Sequence, residues 1–244
     1  MTWVTRQSEL SVQPLSDERP EQVRLDSVTK TYLTDGQPVH ALNGVSICVR
    51  RGEFVALVGR SGCGKSTLLN LAGAMDFPST GRVVLDGSST GELDDSGLTR
   101  LRREKVGFIF QSFQLLNTLT VLENVELPLL LAGESATRDR AQAQLELVEL
   151  GDLSSRMPHQ LSGGQMQRVA IARSMVHGPG LLLADEPTGN LDTATGNLIL
   201  DLLRRIASNQ NTAIIMATHS LEAASIADTV VKMRDGKIQE VTRS

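Results

Sequence analysis

The chain has 244 residues, 40% hydrophobic and 21% charged, with a formal net charge of −4; it is long enough to bury a full core as one domain with a subdomain, and it lacks the basic excess of a nucleic-acid surface. No apolar run approaches the roughly 18 to 20 residues needed to cross a bilayer, and the amino-terminal stretch is polar without the apolar segment of a signal peptide, so a cytoplasmic protein is expected. Two cysteines, Cys48 and Cys63, give no disulfide framework and suit a reducing compartment.

Residues 1–21 mix Ser, Gln, Glu, Arg and Pro without periodicity and predict a mobile extension. Val23, Leu25 and Ser27, then Val45, Ile47 and Val49, alternate with polar residues as half-buried antiparallel strands do, and Asp35-Gly36 marks the turn between them. Cys48 lies in this alternation and is expected to be a small buried residue. Tyr32, the only tyrosine, precedes the turn; it is either a rim aromatic or a ring that stacks on an adenine base. Residues 54–58, 106–110, 181–184 and 213–217 are continuous apolar runs, the pattern of strands in a helix-covered parallel sheet, so the central layer should be α/β.

The first of these runs leads into Gly59-Arg60-Ser61-Gly62-Cys63-Gly64-Lys65-Ser66-Thr67, which fits the phosphate-loop pattern in its required setting of strand, glycine turn and helix. Gly59, Gly62 and Gly64 let consecutive N–H groups face a di- or triphosphate, and the helix beginning near Lys65 aims its positive end at the same charge. Lys65 would reach the β- and γ-phosphates and the Ser66 hydroxyl would ligate Mg²⁺. Cys63, inside the loop, is either a small residue that fits or a thiol whose alkylation blocks nucleotide entry.

Residues 120–150 break the rhythm with two predicted helices and no strand; the second, about residues 135–150, has Gly151 placed as a C-cap. Leu161-Ser162-Gly163-Gly164-Gln165 then opens a helix that Gly178-Pro179 stops. Ser162 stands at its N-terminus beside two bare glycines, a second phosphate-binding device in a chain with one lysine loop, which suggests that it serves a nucleotide on another copy. The run at residues 181–184 ends in Asp185-Glu186-Pro187, where a carboxylate at the sheet's carboxyl edge suits a Mg²⁺ ligand and Glu186 can polarise an attacking water. The run at 213–217 ends in Thr218-His219, which could contact the γ-phosphate. Asp235-Gly236 signals a terminal hairpin between residues 230–234 and 237–241.

In these motifs and their order the chain resembles an ATP-binding-cassette ATPase, the nucleotide-binding subunit of ABC transporters, over about residues 23–241. The resemblance implies a P-loop NTPase, RecA-like core with an N-terminal antiparallel β subdomain and an α-helical signature subdomain at about residues 112–176, all within residues 22–244. It implies that Tyr32 stacks on adenine, that residues 59–67 are the Walker A loop, that Gln111 is the Q-loop glutamine and a Mg²⁺ ligand beside Ser66 and Asp185, and that Ser162, Gly163, Gly164 and Gln165 close over the ATP of an opposing subunit. Glu186 would be the catalytic glutamate, Asp192 the D-loop aspartate and His219 the switch histidine. The implied cofactors are ATP and Mg²⁺; the implied partners are a second ATPase subunit, a homodimer sufficing, and an integral-membrane permease, with the protein peripheral on the inner face of the cell membrane. Residues 184–192 and 119–128 are similar to the branch of macrolide-export, lipoprotein-release and cell-division ATPases, in which either export or regulation of an envelope process is the outcome. Ser220 departs from the acid that follows the histidine in many relatives.

Overall fold

The computed structural model describes residues 19–243, so the expected extension lies, up to residue 18, outside the described residues. Strands β1 (Glu21–Thr34) and β2 (Gln37–Arg50) pair antiparallel, with Val23 opposite Val49, Leu25 opposite Ile47 and Val28 opposite Val45. Asp35 and Gly36 join them with φ of 49° and 76°, the double left-handed turn that matches strand twist. The predicted alternation fails at Ser27: its φ is 47°, its N–H donates to Ser46 Oγ at 2.8 Å, and the register shifts between Leu25 and Val28. Val28 therefore takes the core position. Cys48 is half-buried rather than buried, and burial, reinforced by the Glu21 carboxylate, pushes its thiol up to about 11. Strand β4 (Thr80–Leu85) pairs with the other edge of β1, and β5 (Ser88–Ser89) completes the order β2-β1-β4-β5.

The four apolar runs become β3 (Phe54–Val58), β6 (Val106–Ile109), β7 (Leu181–Asp185) and β8 (Ala213–Thr218), all parallel. With β9 (Thr229–Arg234) and β10 (Lys237–Arg243) they form a sheet of order β10-β9-β3-β8-β7-β6, and the β9–β10 turn is Asp235-Gly236 as predicted. Alternate residues feed two cores. Phe54, Ala56, Leu182, Ala184, Ile214 and Met216 share one with helices α5 (Gly163–Met175) and α6 (Thr193–Gln210). Val55, Leu57, Leu181, Leu183 and Ile215 share the other with α1 (Lys65–Ala72) and with Val23 and Leu25 of the antiparallel sheet. Helix α2 (Asp95–Lys105) leads into β6. The parallel strands are thus apolar on both faces because one face meets helices and the other meets α1 and the second sheet.

The two helices expected in residues 120–150 are α3 (Val121–Ala132), opened by a Thr120–Glu123 capping box, and α4 (Thr137–Leu147). Gly151 is not the cap of α4; it begins a short 3-10 turn. Glu149 takes the left-handed position instead, at φ 62°. Its N–H bonds Glu146 O at 3.0 Å and the Leu150 N–H bonds Leu145 O at 2.9 Å, with Leu145 and Leu150 in the same core, which together make a Schellman motif. A left-handed residue with a Cβ costs about 1 kcal/mol. Glu149→Gly should therefore stabilise the protein by about that amount, since the 3.7 Å contact of Glu149 with Arg168 is on a carboxylate 75% exposed and contributes little. Chemical denaturation of the two proteins checks this.

Candidate functional site

β3, β6, β7 and β8 run parallel, so their carboxyl ends share one edge of the sheet, where ligands of open α/β folds bind. The phosphate loop follows β3, Gln111 follows β6, Asp185 ends β7 with Glu186 next, and His219 follows β8. The structure brings these together: Ser61, Gly62, Gly64, Lys65, Ser66, Thr67, Gln111, Asp185, Glu186 and His219 line one cavity of about 620 Å³, closed on one side by Val39, His40 and Ala41 of β2.

Gly64 has φ 106° and a Cβ there would lie 2.5 Å from Ala41 O, so only glycine fits where the loop enters α1. Lys65 is 7% exposed. Its ammonium donates to Gly59 O at 2.7 Å and Arg60 O at 3.3 Å, and among the described residues no carboxylate pairs with it. A buried cation held only by carbonyls favours an anionic ligand. The side chains of Arg60 and Cys63, expected at the same site, do not line the cavity; with Arg234 and Asp235 they border a separate depression. Cys63 is 6% exposed in the cluster that holds Leu42 and Met233. This favours the small residue that fits over a reactive thiol.

Tyr32 also stands outside the cavity wall. Its hydroxyl donates to Asp76 Oδ2 at 2.8 Å, with Thr67, a wall residue, beside it. Asp76 Oδ1 accepts from Lys30 Nζ at 2.6 Å and from the Phe77 N–H at 2.7 Å, and the ammonium sits 4.9 Å from the Tyr32 ring centroid. Burial, then the Asp76 carboxylate, raises the phenol's pKa; burial opposes ionisation of Asp76, but the bonds from Lys30 and Tyr32 hold it below the usual carboxylate range.

Ser66, Gln111 and Asp185 give the cavity a hydroxyl, an amide and a carboxylate, an all-oxygen donor set with a single acid. Oxygen groups of this kind with one carboxylate fit Mg²⁺, an ion that takes one or two carboxylates and completes its shell from phosphate and water. Gln111 and Asn190 are joined reciprocally, Nε2 to Oδ1 at 3.4 Å and Nδ2 to the Gln111 carbonyl at 2.9 Å. Glu186 has φ 48°, its N–H bonds Ala217 O at 2.9 Å, and its Oε2 lies 2.8 Å from His219 Nδ1. Carboxylate and imidazole are thereby placed as one unit facing the cavity.

Asp192 is not in this cavity. It caps α6, accepting from the Thr195 N–H at 2.9 Å and Thr195 Oγ1 at 2.7 Å, which lowers its pKa, and it lines a smaller cavity of about 320 Å³ beside Glu186 and His219. Ser162, Gly163, Gly164 and Gln165 are likewise outside. Ser162 and Gln165 form a capping box at the start of α5, while a Cβ on Gly164 would come 2.3 Å from Thr195 Cγ2, so that glycine also has a packing reason within the chain. Ser220 accepts from the Ala223 N–H at 3.1 Å and caps the short helix α7 (Leu221–Ala224), the task an acid would perform there.

Three residues that the motifs did not single out hold the loops in place. Asn124, fully buried on α3, accepts from the Leu116 N–H and donates to the carbonyls of Leu116, Leu119 and Thr120. Arg173 donates to Phe113 O and Gln114 O, two residues at positive φ just after Gln111. Gln167 donates to Pro187 O. The visible signal was a polar residue in an apolar helical face, at Asn124 and at Gln167.

A family model described as ABC transporter matches residues 42–189. The chain belongs to the ABC transporter family. It is 42% identical over 223 residues, 89% of its own length and 95% of the relative's, to an uncharacterized ABC transporter ATP-binding protein, MJ0796, of Methanocaldococcus jannaschii. A dimeric structure of that cassette, in a post-hydrolysis state bound to ADP and Pi, superposes with a TM-score of 0.84 at 41% identity, covering 91% of this chain and 98% of that one. The chain is also 45% identical over 218 residues to the macrolide export ATP-binding/permease protein MacB of Brucella melitensis, spanning 88% of this cassette and 34% of that longer protein. This cassette is an ATP-hydrolysing enzyme with the RecA-like core, antiparallel sheet and helical subdomain of its family. Among the described residues no helix is long and apolar enough to cross a membrane.

Proposed function

We propose that this cassette is the ATPase subunit of an export or mechanotransmission system, pairing with a second copy around two ATP·Mg²⁺ and driving a separate membrane permease from the cytoplasmic face. The observation that carries it is the split between two anion-binding devices. The phosphate loop faces the chain's own cavity, whereas the Ser162 end of α5 does not line it, so the second device is free for another copy's nucleotide. The dimer of the 41% identical cassette solved with ADP and Pi supports this arrangement, and the relation to a macrolide export protein with its own permease supports the branch. Met75, Phe77, Leu116, Leu130 and Leu131 are large exposed apolar residues near the end of α1 and along the helical subdomain; they suit a membrane partner's docking there.

Lys65 would exchange its two carbonyl contacts for the β- and γ-phosphates, and Tyr32 would offer its ring to the base. Ser66, Asp185 and Gln111 would hold Mg²⁺, which when bound offsets phosphate charge. Glu186 orients the attacking water and takes its proton, while His219 fixes the Glu186 carboxylate and faces the γ-phosphate. The partner's Ser162 closes the site from the other side. A reading as a regulator of an envelope process shares every one of these steps and differs in the membrane partner. Purified protein should hydrolyse ATP with Mg²⁺ and stop in excess chelator, with faster turnover when the permease is reconstituted in vesicles; hydrolysis indifferent to chelator would overturn the site as drawn, and export of a substrate by the vesicles separates transport from regulation.

A further inference from the structure

Helix α5 fastens three loops through side chains that donate to main-chain carbonyls. Arg168 reaches Val148 O at 3.1 Å, Arg173 reaches Phe113 O and Gln114 O, and Gln167 reaches Pro187 O at 2.7 Å. Only the last holds the residue adjacent to Glu186. We propose that Gln167 is a positioning residue for Glu186, fixing the turn that aims the carboxylate. The assignment rests on the reading of Glu186 as the group that orients the attacking water.

The turn is a constrained one. Glu186 sits in the left-handed region at φ 48°, a conformation that is unfavourable for a residue with a side chain. The Gly189 N–H closes the turn on Glu186 O at 3.0 Å, and the Glu186 N–H is tied to Ala217 O on β8. Glu186 is thereby anchored on its amino side. Pro187 has no N–H of its own, so on the carboxyl side the turn's anchor to α5 is its carbonyl, and Gln167 supplies the donor. Strain of this kind persists when its surroundings over-determine it.

Gln167 is also an uneconomical choice for packing. The residue is 0% exposed and its Oε1 has no hydrogen-bond partner among the described residues. A buried acceptor left unpaired is destabilising, and an apolar side chain of the same length would remove it. What glutamine adds at this place is the single 2.7 Å bond to the turn. Its position five residues from Ser162 makes the same helix carry the device proposed for the other copy's nucleotide and the anchor of this copy's own carboxylate.

Gln167→Met keeps the length and removes both the donor and the unpaired oxygen. The expected result is a kcat about tenfold or more below the parent, since small misplacements of a reacting group are costly, with KM for ATP within twofold and the melting temperature within a few degrees. Gln167→Leu, which also lacks any donor and buries no ionisable group, should show the same fall and guards against a peculiarity of methionine. In a Glu186→Gln background, adding Gln167→Met should leave ATP-induced dimerisation unchanged, because the Ser162 end is not the part disturbed. Parent-level kcat in both variants would overturn the proposal. So would a loss of dimerisation or a large fall in melting temperature alongside kcat, which would make Gln167 a support of α5 as a whole. Parent-level turnover in the Glu186→Gln protein would instead bring down the reading of Glu186 on which the proposal stands.

Discussion

Glu186→Gln should abolish ATP turnover while leaving ATP bound and two copies locked together. The side chain keeps its volume and an oxygen that can still accept from His219 Nδ1, at 2.8 Å in the parent, so the cavity wall and the left-handed turn are undisturbed. What disappears is the capacity to take a proton. Positioned general bases contribute about 10² to 10⁴ in rate, and a fall of that size is the expectation for phosphate release measured at saturating ATP. Binding is a separate matter, because the groups proposed to hold the phosphates are Lys65, Ser66 and the main chain of the loop, none of which touches Glu186. Nucleotide therefore stays and, under the proposed arrangement, keeps the partner's Ser162 closed over it. Size-exclusion chromatography should show a dimer with ATP·Mg²⁺ and a monomer without. Turnover at the parent rate would remove Glu186 from the role of base; turnover lost together with ATP binding would mean that the carboxylate shapes the pocket instead.

The parallel core was readable in advance because its strands are covered on both faces and so appear as unbroken apolar runs, each followed at the sheet edge by the residues that converge on the cavity. Where chain order alone decides what meets what, as for Asp185, Glu186 and His219 at the ends of β7 and β8, motif spacing carries the geometry. Local backbone choices were harder. Ser27 departs from its strand's alternation through a register shift whose cause is pairing with β2 and β4, and Glu149 occupies the left-handed position two residues before the glycine that composition marks as the cap. A phosphate-loop pattern also specifies a backbone course without saying which side chains face inward, and the side chains of Arg60 and Cys63 border a separate depression instead of the cavity. The residues that hold the site together were least visible. Gln167 and Arg173 act on carbonyls 20 and about 60 positions away, and a carbonyl carries no identity that a sequence pattern could register.

Lys65→Met should cost nearly all nucleotide affinity without weakening the nucleotide-free fold. In the parent Lys65 is buried, 7% exposed, and its ammonium is held by two carbonyl oxygens at 2.7 and 3.3 Å. Carbonyls solvate a cation only partly, so the folded chain carries an uncompensated charge. Methionine preserves most of the stem's packing and deletes that charge, which should leave the melting temperature of the free protein equal to or above the parent's. With ATP·Mg²⁺ the order reverses. Losing a charge-assisted contact to a buried phosphate costs about 3 kcal/mol, close to a hundredfold in affinity. Ligand present at about 100 times the parent's Kd stabilises the parent by about 2.7 kcal/mol and would then sit near the variant's Kd, adding only a few tenths. Thermal melts of both proteins with and without nucleotide decide it. A variant that melts well below the parent when free, yet shows the parent's full rise with ATP, would make Lys65 a packing residue of α1 and leave the cavity's affinity for phosphate without its main source.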